Sequence, residues 1–373
     1  MKVAIVHYWF ITRRGGEKVV ESILKLYPNA DIYTLFYDPK IYGNHLKSHT
    51  IYTSILNTPF LRKRYQKIFP LYPMGIRSLK LRKEYDLIIS SESGPAKGIV
   101  NKFNAPHLCY IHSPMRYCWS HKQMYIDAVS FAVRPLMSFF LERLRKWDEK
   151  TVNNVDKYIS NSQNVADRVA KYYSRKAEIV YPPISEAFFK NYKPLSKNRD
   201  NYLSFGAITP YKKIDLLVDS FNENGKRLII IGEGSEREKL EKKAKENITF
   251  VGGVDWENVK EIIYNSKALL FPGEEDFGMI PLEVMAHGLP VIAFKKGGAL
   301  ETVVENKNNI SKSSGIFFND QTSESLQSAI DFFEDNMNQF DAMWIQDHAR
   351  KFAEEQFLLH FKSKIDSLLK THS

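Results

Sequence analysis

Short runs of β-branched and aromatic residues recur along this chain with helix-like stretches between them, and the pattern is laid down twice. In the first half the runs are "KVAIVHYWF", "YDLIISSES", "APHLCYIHS" and "KYISNS". After "AEIVYPPIS" the pattern restarts with "NYLSFGAI", "RLIIIGEG", "ITFVGGV", "ALLFPGEE" and "LPVIAFKKGG". Apolar strands alternating with helices predict parallel sheets covered on both faces, because the crossover joining two parallel strands must lie on a face of the sheet. Two such series in 373 residues predict two doubly wound α/β domains facing a central cleft, since one core rarely grows past about 250 to 300 residues. The expected division is 1–183 and 184–350, joined near Pro182–Pro183, with 351–373 a C-terminal helix packing back on the first domain.

Composition narrows the class. At 43% hydrophobic and 26% charged residues the chain reads as soluble and globular, and no apolar run approaches the roughly 20 residues of a membrane-crossing helix. The start, "MKVAIVHYWF", reads as a first buried strand rather than a signal peptide, being short, aromatic and without a small-residue cleavage site. Cys109 and Cys118 are the two cysteines. With no C-x-x-C pair or Cys/His cluster they are expected to be reduced thiols in a cytosolic protein. The net charge of +10 favours an anionic partner: nucleotide, phospholipid surface or nucleic acid.

Ligands of doubly wound sheets bind beyond the carboxyl ends of the strands. Glycines collect there in the second series: Gly206, Gly232, Gly234, Gly252, Gly253, Gly273, Gly297 and Gly298. Their shared position predicts a phosphate-bearing ligand, although any single glycine is equally suited to a plain turn. The G-x-G-x-x-G fingerprint is absent at the first strand, which argues against a nicotinamide enzyme.

In "PGEEDFGMIPLEVMAHGLPVIAF" two carboxylates, Glu275 and Glu283, stand eight residues apart. Pro281 suits the first turn of a helix and Gly288 its end, predicting a short helix over "PLEVMAHG". The amides around Phe277, Gly278, Met279 and Ile280 would then be open to an anion. Glu283 is expected in the first turn, where the dipole favours an ionised carboxylate able to accept both hydroxyls of a ribose. Glu275 is expected on the preceding loop, within reach of a second hydroxylated group. A glutamate in a first turn is also favoured with no ligand at all.

This stretch resembles the E-x7-E motif of retaining glycosyltransferase family 4, whose architecture is GT-B. The resemblance extends in order through "GGEKVVESI", "YIHSPMRYCW", "YISNSQNVADRV", "VYPPI", "FGAITPYKKIDLLVDSF", "LIIIGEGSEREKL" and "ITFVGGV". It implies an N-terminal acceptor-side domain and a C-terminal nucleotide-sugar-binding domain. Glu283 is the expected ribose ligand and Glu275 faces the donor sugar. Lys212 is the implied phosphate-binding lysine, with Lys213 beside it; where the family often has an arginine after the strand-ending glycine, this chain has Ala207. Gly15 and Gly16, before a helix expected to begin near Glu17, resemble the glycine loop beneath the donor diphosphate. His112 is expected to touch the donor sugar, with Arg116 beside it facing phosphate or acceptor. Gly206, Val251 and Gly252 complete the expected nucleotide-binding set.

No Asp-x-Asp pair and no metal-ligand spacing of His, Asp or Glu occurs, so no metal or other cofactor is expected, and lysines and helix dipoles take a cation's role. From Ile55 to Lys83 the sequence holds eight Lys/Arg and no acid, interleaved with Phe, Tyr, Leu and Ile, a mixture suited to anionic lipid headgroups. "AVRPLMSFFLERLRKW" adds a second apolar-basic element. The expected protein is a mannosyltransferase using GDP-mannose on a lipid-linked glycan of polysaccharide or O-antigen assembly. It would be cytoplasmic, peripheral on the inner face of the cell membrane, and would bind no nucleic acid. The alternatives are a non-hydrolysing sugar-nucleotide epimerase of the same architecture and a basic nucleic-acid-binding protein.

Overall fold

A computed structural model describes residues 1–190 and 193–372; Ser373, the last residue of the expected C-terminal segment, lies outside the described residues. The chain divides into two compact units, Met1–Pro182 with Phe357–Ser373, and Pro183–Gln356.

The first unit holds a seven-stranded, wholly parallel sheet. Its strands are β1 (Val3–Phe10), β2 (Asp31–Tyr37), β3 (Ile51–Thr53), β4 (Leu87–Glu92), β5 (His107–Ile111), β6 (Lys157–Ser160) and β7 (Ala177–Ile179), in the order β3-β2-β1-β4-β5-β6-β7. Alternate side chains of one strand enter opposite cores, as the pleat requires. Val3 and Ile5 pack with the Gly15–Leu26 helix, and Ala4 and Val6 with Leu35, Tyr72 and Ile76 on the other face. The first of these cores is completed from the far end of the chain. The Glu354–His372 helix contributes Phe357, Phe361, Ile365 and Leu368, a spacing of three or four that makes one apolar stripe.

The second unit holds a six-stranded parallel sheet, β8 (Asn201–Phe205), β9 (Arg227–Ile231), β10 (Ile248–Val251), β11 (Ser266–Phe271), β12 (Val291–Phe294) and β13 (Gly315–Phe318), in the order β10-β9-β8-β11-β12-β13. Tyr202, Leu228, Ile230, Leu270, Ile292 and Ile316 form one face of its core with the Ile214–Asn224 and Ser323–Asn336 helices. Both units are Rossmann-like. Their strand order reverses between β1 and β4 in one and between β8 and β11 in the other. Cys109 and Cys118 are both buried and form no disulfide. Among the described residues no helix is long and apolar enough to cross a membrane.

Candidate functional site

A reversal of strand order leaves a crevice beyond the carboxyl ends of the two strands that flank it. In the second unit the loops leaving β8 and β11 therefore start side by side. After β8 the chain passes Gly206 and Ala207 into a single 3-10 turn, Pro210–Lys212, and Lys213 opens the Ile214–Asn224 helix from a left-handed conformation, φ 56°. The β11 loop runs beneath it: a Cβ on Gly273 would stand 2.9 Å from the Tyr211 carbonyl oxygen. The Lys212 ammonium pairs with the Glu275 carboxylate, and the two side chains keep only 12% and 17% of their surface exposed. A pair so withdrawn from water interacts more strongly than one on the surface.

Past Glu275 come buried Asp276 and Phe277, then Gly278, which caps the Met279–Met285 helix at φ 87°, a conformation costly for a residue with a Cβ. This corrects the helix expected over "PLEVMAHG". It starts two residues earlier, Pro281 is its third residue, and Glu283 is its fifth, beyond the first turn. Pro281 remains harmless because the first four N–H groups of a helix have no partner within it. Glu283 is buried, 8% exposed, and the first turn of the helix carries no acid. Ile280 reaches the end of β8, since a Cβ on Gly206 would fall 2.8 Å from its Cδ1. The loop after β12 closes on the same place, where the Gly298 N–H donates to the Glu275 carbonyl at 2.8 Å.

Several of these glycines are small because backbone meets backbone. Gly232, just past β9, sits at φ 147°, and a Cβ there would lie 1.8 Å from the Gly206 carbonyl oxygen. Val251 ends β10 and Gly252 follows it, two strands out from β8. The cation at that end is Arg237, whose guanidinium donates to the Gly232 carbonyl at 3.1 Å and pairs with Glu233. Its Nη1 would be 3.4 Å from a Cβ on Gly252. Nothing in "SEREKLEKK" separates Arg237 from a solvated helix face; its one mark is its place three residues after Gly234.

In the first unit Gly15 and Gly16 are the first two residues of the Gly15–Leu26 helix, not the residues ahead of it. Glu17 secures that end by accepting from the Thr12 hydroxyl at 2.6 Å and the Arg14 N–H at 3.2 Å. Burial raises its carboxyl above the ordinary range. Gly16 lies against three rings: a Cβ there would be 2.6 Å from the Tyr8 hydroxyl, 3.7 Å from His112 Nε2 and 3.7 Å from His7 Cε1. The His112 N–H donates to the Glu92 carbonyl at 2.8 Å. His112 Nε2 is 2.8 Å from the Ser91 hydroxyl, which is 3.0 Å from His7 Nδ1. Arg116 acts electrostatically on the Tyr8 phenol, as do Glu17 and Glu92. Gly16 thus stands between Tyr8, His112 and His7.

Behind them lies a buried polar group without a local sequence signature. The Lys97–Asp148 ion pair has no exposed surface. Asp148 also accepts from Trp119 Nε1 at 2.9 Å and from the Tyr173 hydroxyl at 2.7 Å. Glu92 accepts from the Lys97 N–H at 2.7 Å, and burial pushes its carboxyl up to about 8 against the pull of Lys97. The loop carrying His112 and Arg116 is therefore held at both ends, by Glu92 and by Asp148. Among the described residues no group of three or more His, Cys, Asp or Glu side chains could hold a metal ion.

Two family models match the chain: "Glycosyltransferase Family 4" over residues 13–188 and "Glycosyl transferases group 1" over residues 185–352. An uncharacterized glycosyltransferase of Methanocaldococcus jannaschii is 24% identical over 325 residues, 83% of this chain and 83% of its own length. The O-antigen chain mannosyltransferase RfbU of Salmonella typhimurium is 28% identical over 144 residues, 35% of this chain and 40% of RfbU. Among solved structures HepE of Anabaena, crystallised in complex with UDP, is similar with a TM-score of 0.72 at 16% identity, over 98% of this chain and 100% of HepE. Both halves of the sequence match in order, and both sheets reverse as Rossmann-like domains do. The chain belongs to glycosyltransferase family 4 and has the GT-B fold.

Proposed function

We propose that the protein is a retaining hexosyltransferase that moves mannose from GDP-mannose to a hydroxyl of a lipid-linked glycan in cell-surface polysaccharide synthesis. The observation that carries the reading is the Lys212–Glu275 contact at the strand reversal of the second unit, with buried Glu283 following in the Met279–Met285 helix. A phosphate ligand, a sugar-facing acid and a diol acceptor then stand in the order in which a sugar nucleotide would need them. Mannose is favoured by the partial match to RfbU and by "YIHSPMRYCW" and "PYKKID".

In this mechanism Glu283 accepts the two ribose hydroxyls. Lys212 and Lys213 neutralise the diphosphate as its bond to the sugar breaks, Lys213 taking the share that an arginine at position 207 would have had. Gly15, Gly16, Gly206, Val251, Gly252, Phe277, Gly278, Met279 and Ile280 border the nucleotide sugar, and Arg116 faces phosphate or acceptor. His112 and Glu275 orient the sugar. The acceptor oxygen bonds to the anomeric carbon on the face the phosphate leaves, and its proton passes to a phosphate oxygen. No protein nucleophile is needed. Because lysines carry the leaving charge, transfer should persist after thorough chelation; loss with EDTA and recovery with Mg²⁺ would contradict this assignment.

The acceptor's lipid calls for a docking face, and the first unit offers apolar and basic groups together. Ile55, Phe60, Leu71 and Met74 are exposed within the Ile55–Lys83 stretch, and Arg64 lies over the Phe60 ring at 4.0 Å. Phe131 is 85% exposed, and Leu136 and Phe139 follow it on the exposed side of the Arg134–Lys150 helix. We assign this face to the anionic inner surface of the cell membrane. The direct test is calorimetry with GDP, UDP and ADP, followed by transfer from the matching sugar nucleotide to a lipid-extracted acceptor. Tightest binding of GDP with mannosyl transfer is expected. No binding of any of the three would overturn the donor site, and release of an epimerised sugar nucleotide without acceptor would replace transfer by epimerisation.

A further inference from the structure

His7 is fully buried within β1, where its pairing with β4 ends at the register pair His7–Ser91. No role above uses it. Its Nδ1 faces the Ser91 hydroxyl at 3.0 Å, and the same hydroxyl faces His112 Nε2 at 2.8 Å. His7 Nε2 is buried with no hydrogen-bond partner among the described residues.

A serine hydroxyl has a single proton and must choose which ring receives it. Two arrangements use that proton between the rings; a third, in which both rings donate to Ser91, would leave the buried hydroxyl proton without an acceptor among the described residues. If His7 carried its proton on Nε2, an N–H donor would be buried without a partner, the rarer and costlier kind of orphan. If the proton is on Nδ1, the orphan is only a lone pair. Nδ1–H then donates to Ser91, Ser91 donates to His112 Nε2, and neutral His112 keeps its own proton on Nδ1. Which nitrogen of an imidazole is protonated is set by the hydrogen bond the other makes.

We propose that His7 and Ser91 are positioning residues that hold His112 in its Nδ1–H tautomer, so that His112 meets the donor sugar as a hydrogen-bond donor and not as a proton acceptor. This rests on the reading of His112 as a sugar contact. Gly16 borders the same device: a Cβ there would touch His112 and His7 at 3.7 Å and would collide with the Tyr8 hydroxyl at 2.6 Å.

The test is the tautomeric state itself, read from two-bond ¹⁵N–¹H correlations of the imidazoles in the ¹⁵N-labelled full-length protein near neutral pH, with His7 and His112 assigned through the backbone. Nδ1–H is expected at both. Nε2–H at either, or a His7 that titrates in the ordinary histidine range, overturns the proposal. Ser91→Ala should let His112 take up Nε2–H and should cut turnover of the donor identified by calorimetry by about ten- to a hundredfold, with nucleoside diphosphate affinity unchanged. Ser91→Thr, which keeps the hydroxyl, should recover the tautomer and most of the turnover. Undiminished turnover in Ser91→Ala would reduce the chain of bonds to packing and overturn its functional part. A wild-type protein that binds no nucleoside diphosphate would defeat the proposed donor site instead, while the wild-type spectra would still decide the tautomer.

Discussion

Glu283 and Glu275 look alike in sequence and are unlike in place. One is buried in a helix and the other tied to a lysine on a loop. Glu283→Gln keeps a good helix former and nearly the same shape, so the fold should survive. Nucleotide affinity should weaken by about 1 to 3 kcal/mol through loss of a charge-assisted bond, and calorimetry on the folded variant would show it. Unchanged affinity would remove Glu283 from the site. Both acids were legible because they lie eight residues apart within one connection between strands. His7, Ser91 and Asp148 were not, because each sits in an ordinary local context. His7 and Ser91 acquire partners only when β1, β4 and β5 are laid side by side, and Asp148 only when the Arg134–Lys150 helix meets Lys97, Trp119 and Tyr173; no local spacing encodes that.

At the scale of elements, the strands legible in advance were those with long apolar runs. β2, "DIYTLFY", and β13, "GIFF", are buried almost throughout, yet one begins on an aspartate and the other on a glycine. Their burial on two faces comes from neighbours rather than from an alternating pattern. The Met279–Met285 helix started early because Gly278 could cap it from a left-handed conformation, a solution hidden by Pro281 as the apparent start. The strand-end glycines make a sharper prediction. Gly232→Ala would drive a Cβ into the Gly206 carbonyl, and it should lower stability by more than about 1 kcal/mol, read from the thermal midpoint. Glu92, at the end of β4, predicts a pH effect. A carboxyl whose pKa rises on folding, here from 4.5 to about 8, binds its proton more tightly in the native state. Its contribution to stability is full at pH below the unfolded value and is lost as pH rises toward about 8. Urea unfolding of Glu92→Gln should lack this decline, so the variant gains on the wild type as pH rises through that window. Parallel curves would mean that Glu92 is ionised in the native protein throughout.

For the molecule as a whole, the membrane assignment is refined by which charges are free to act. Arg62, within the basic stretch, already donates to the Tyr37 carbonyl at 2.7 Å. Exposed Lys63, Arg64 and Lys67 are the better targets. Replacing these three and Phe131 by serine should weaken binding to anionic vesicles by up to roughly 1 kcal/mol per charge, plus about 1.5 to 3 kcal/mol for a phenylalanine that inserts. GDP affinity should stay as it was. Equal flotation of variant and wild type would leave the face merely solvated. The Glu354–His372 helix has a consequence of another kind. Phe357, Phe361, Ile365 and Leu368 are 2%, 0%, 0% and 4% exposed in the core of the unit that begins at Met1. At about 1.5 to 3 kcal/mol each, they supply as much as the whole net stability of an ordinary domain. A chain ending at Gln356 should therefore lose the first unit's cooperative unfolding transition. On the ribosome, where domains generally mature in the order of their synthesis, the unit that begins at Met1 has to wait with an open apolar face until the second unit has passed and the Glu354–His372 helix has been made.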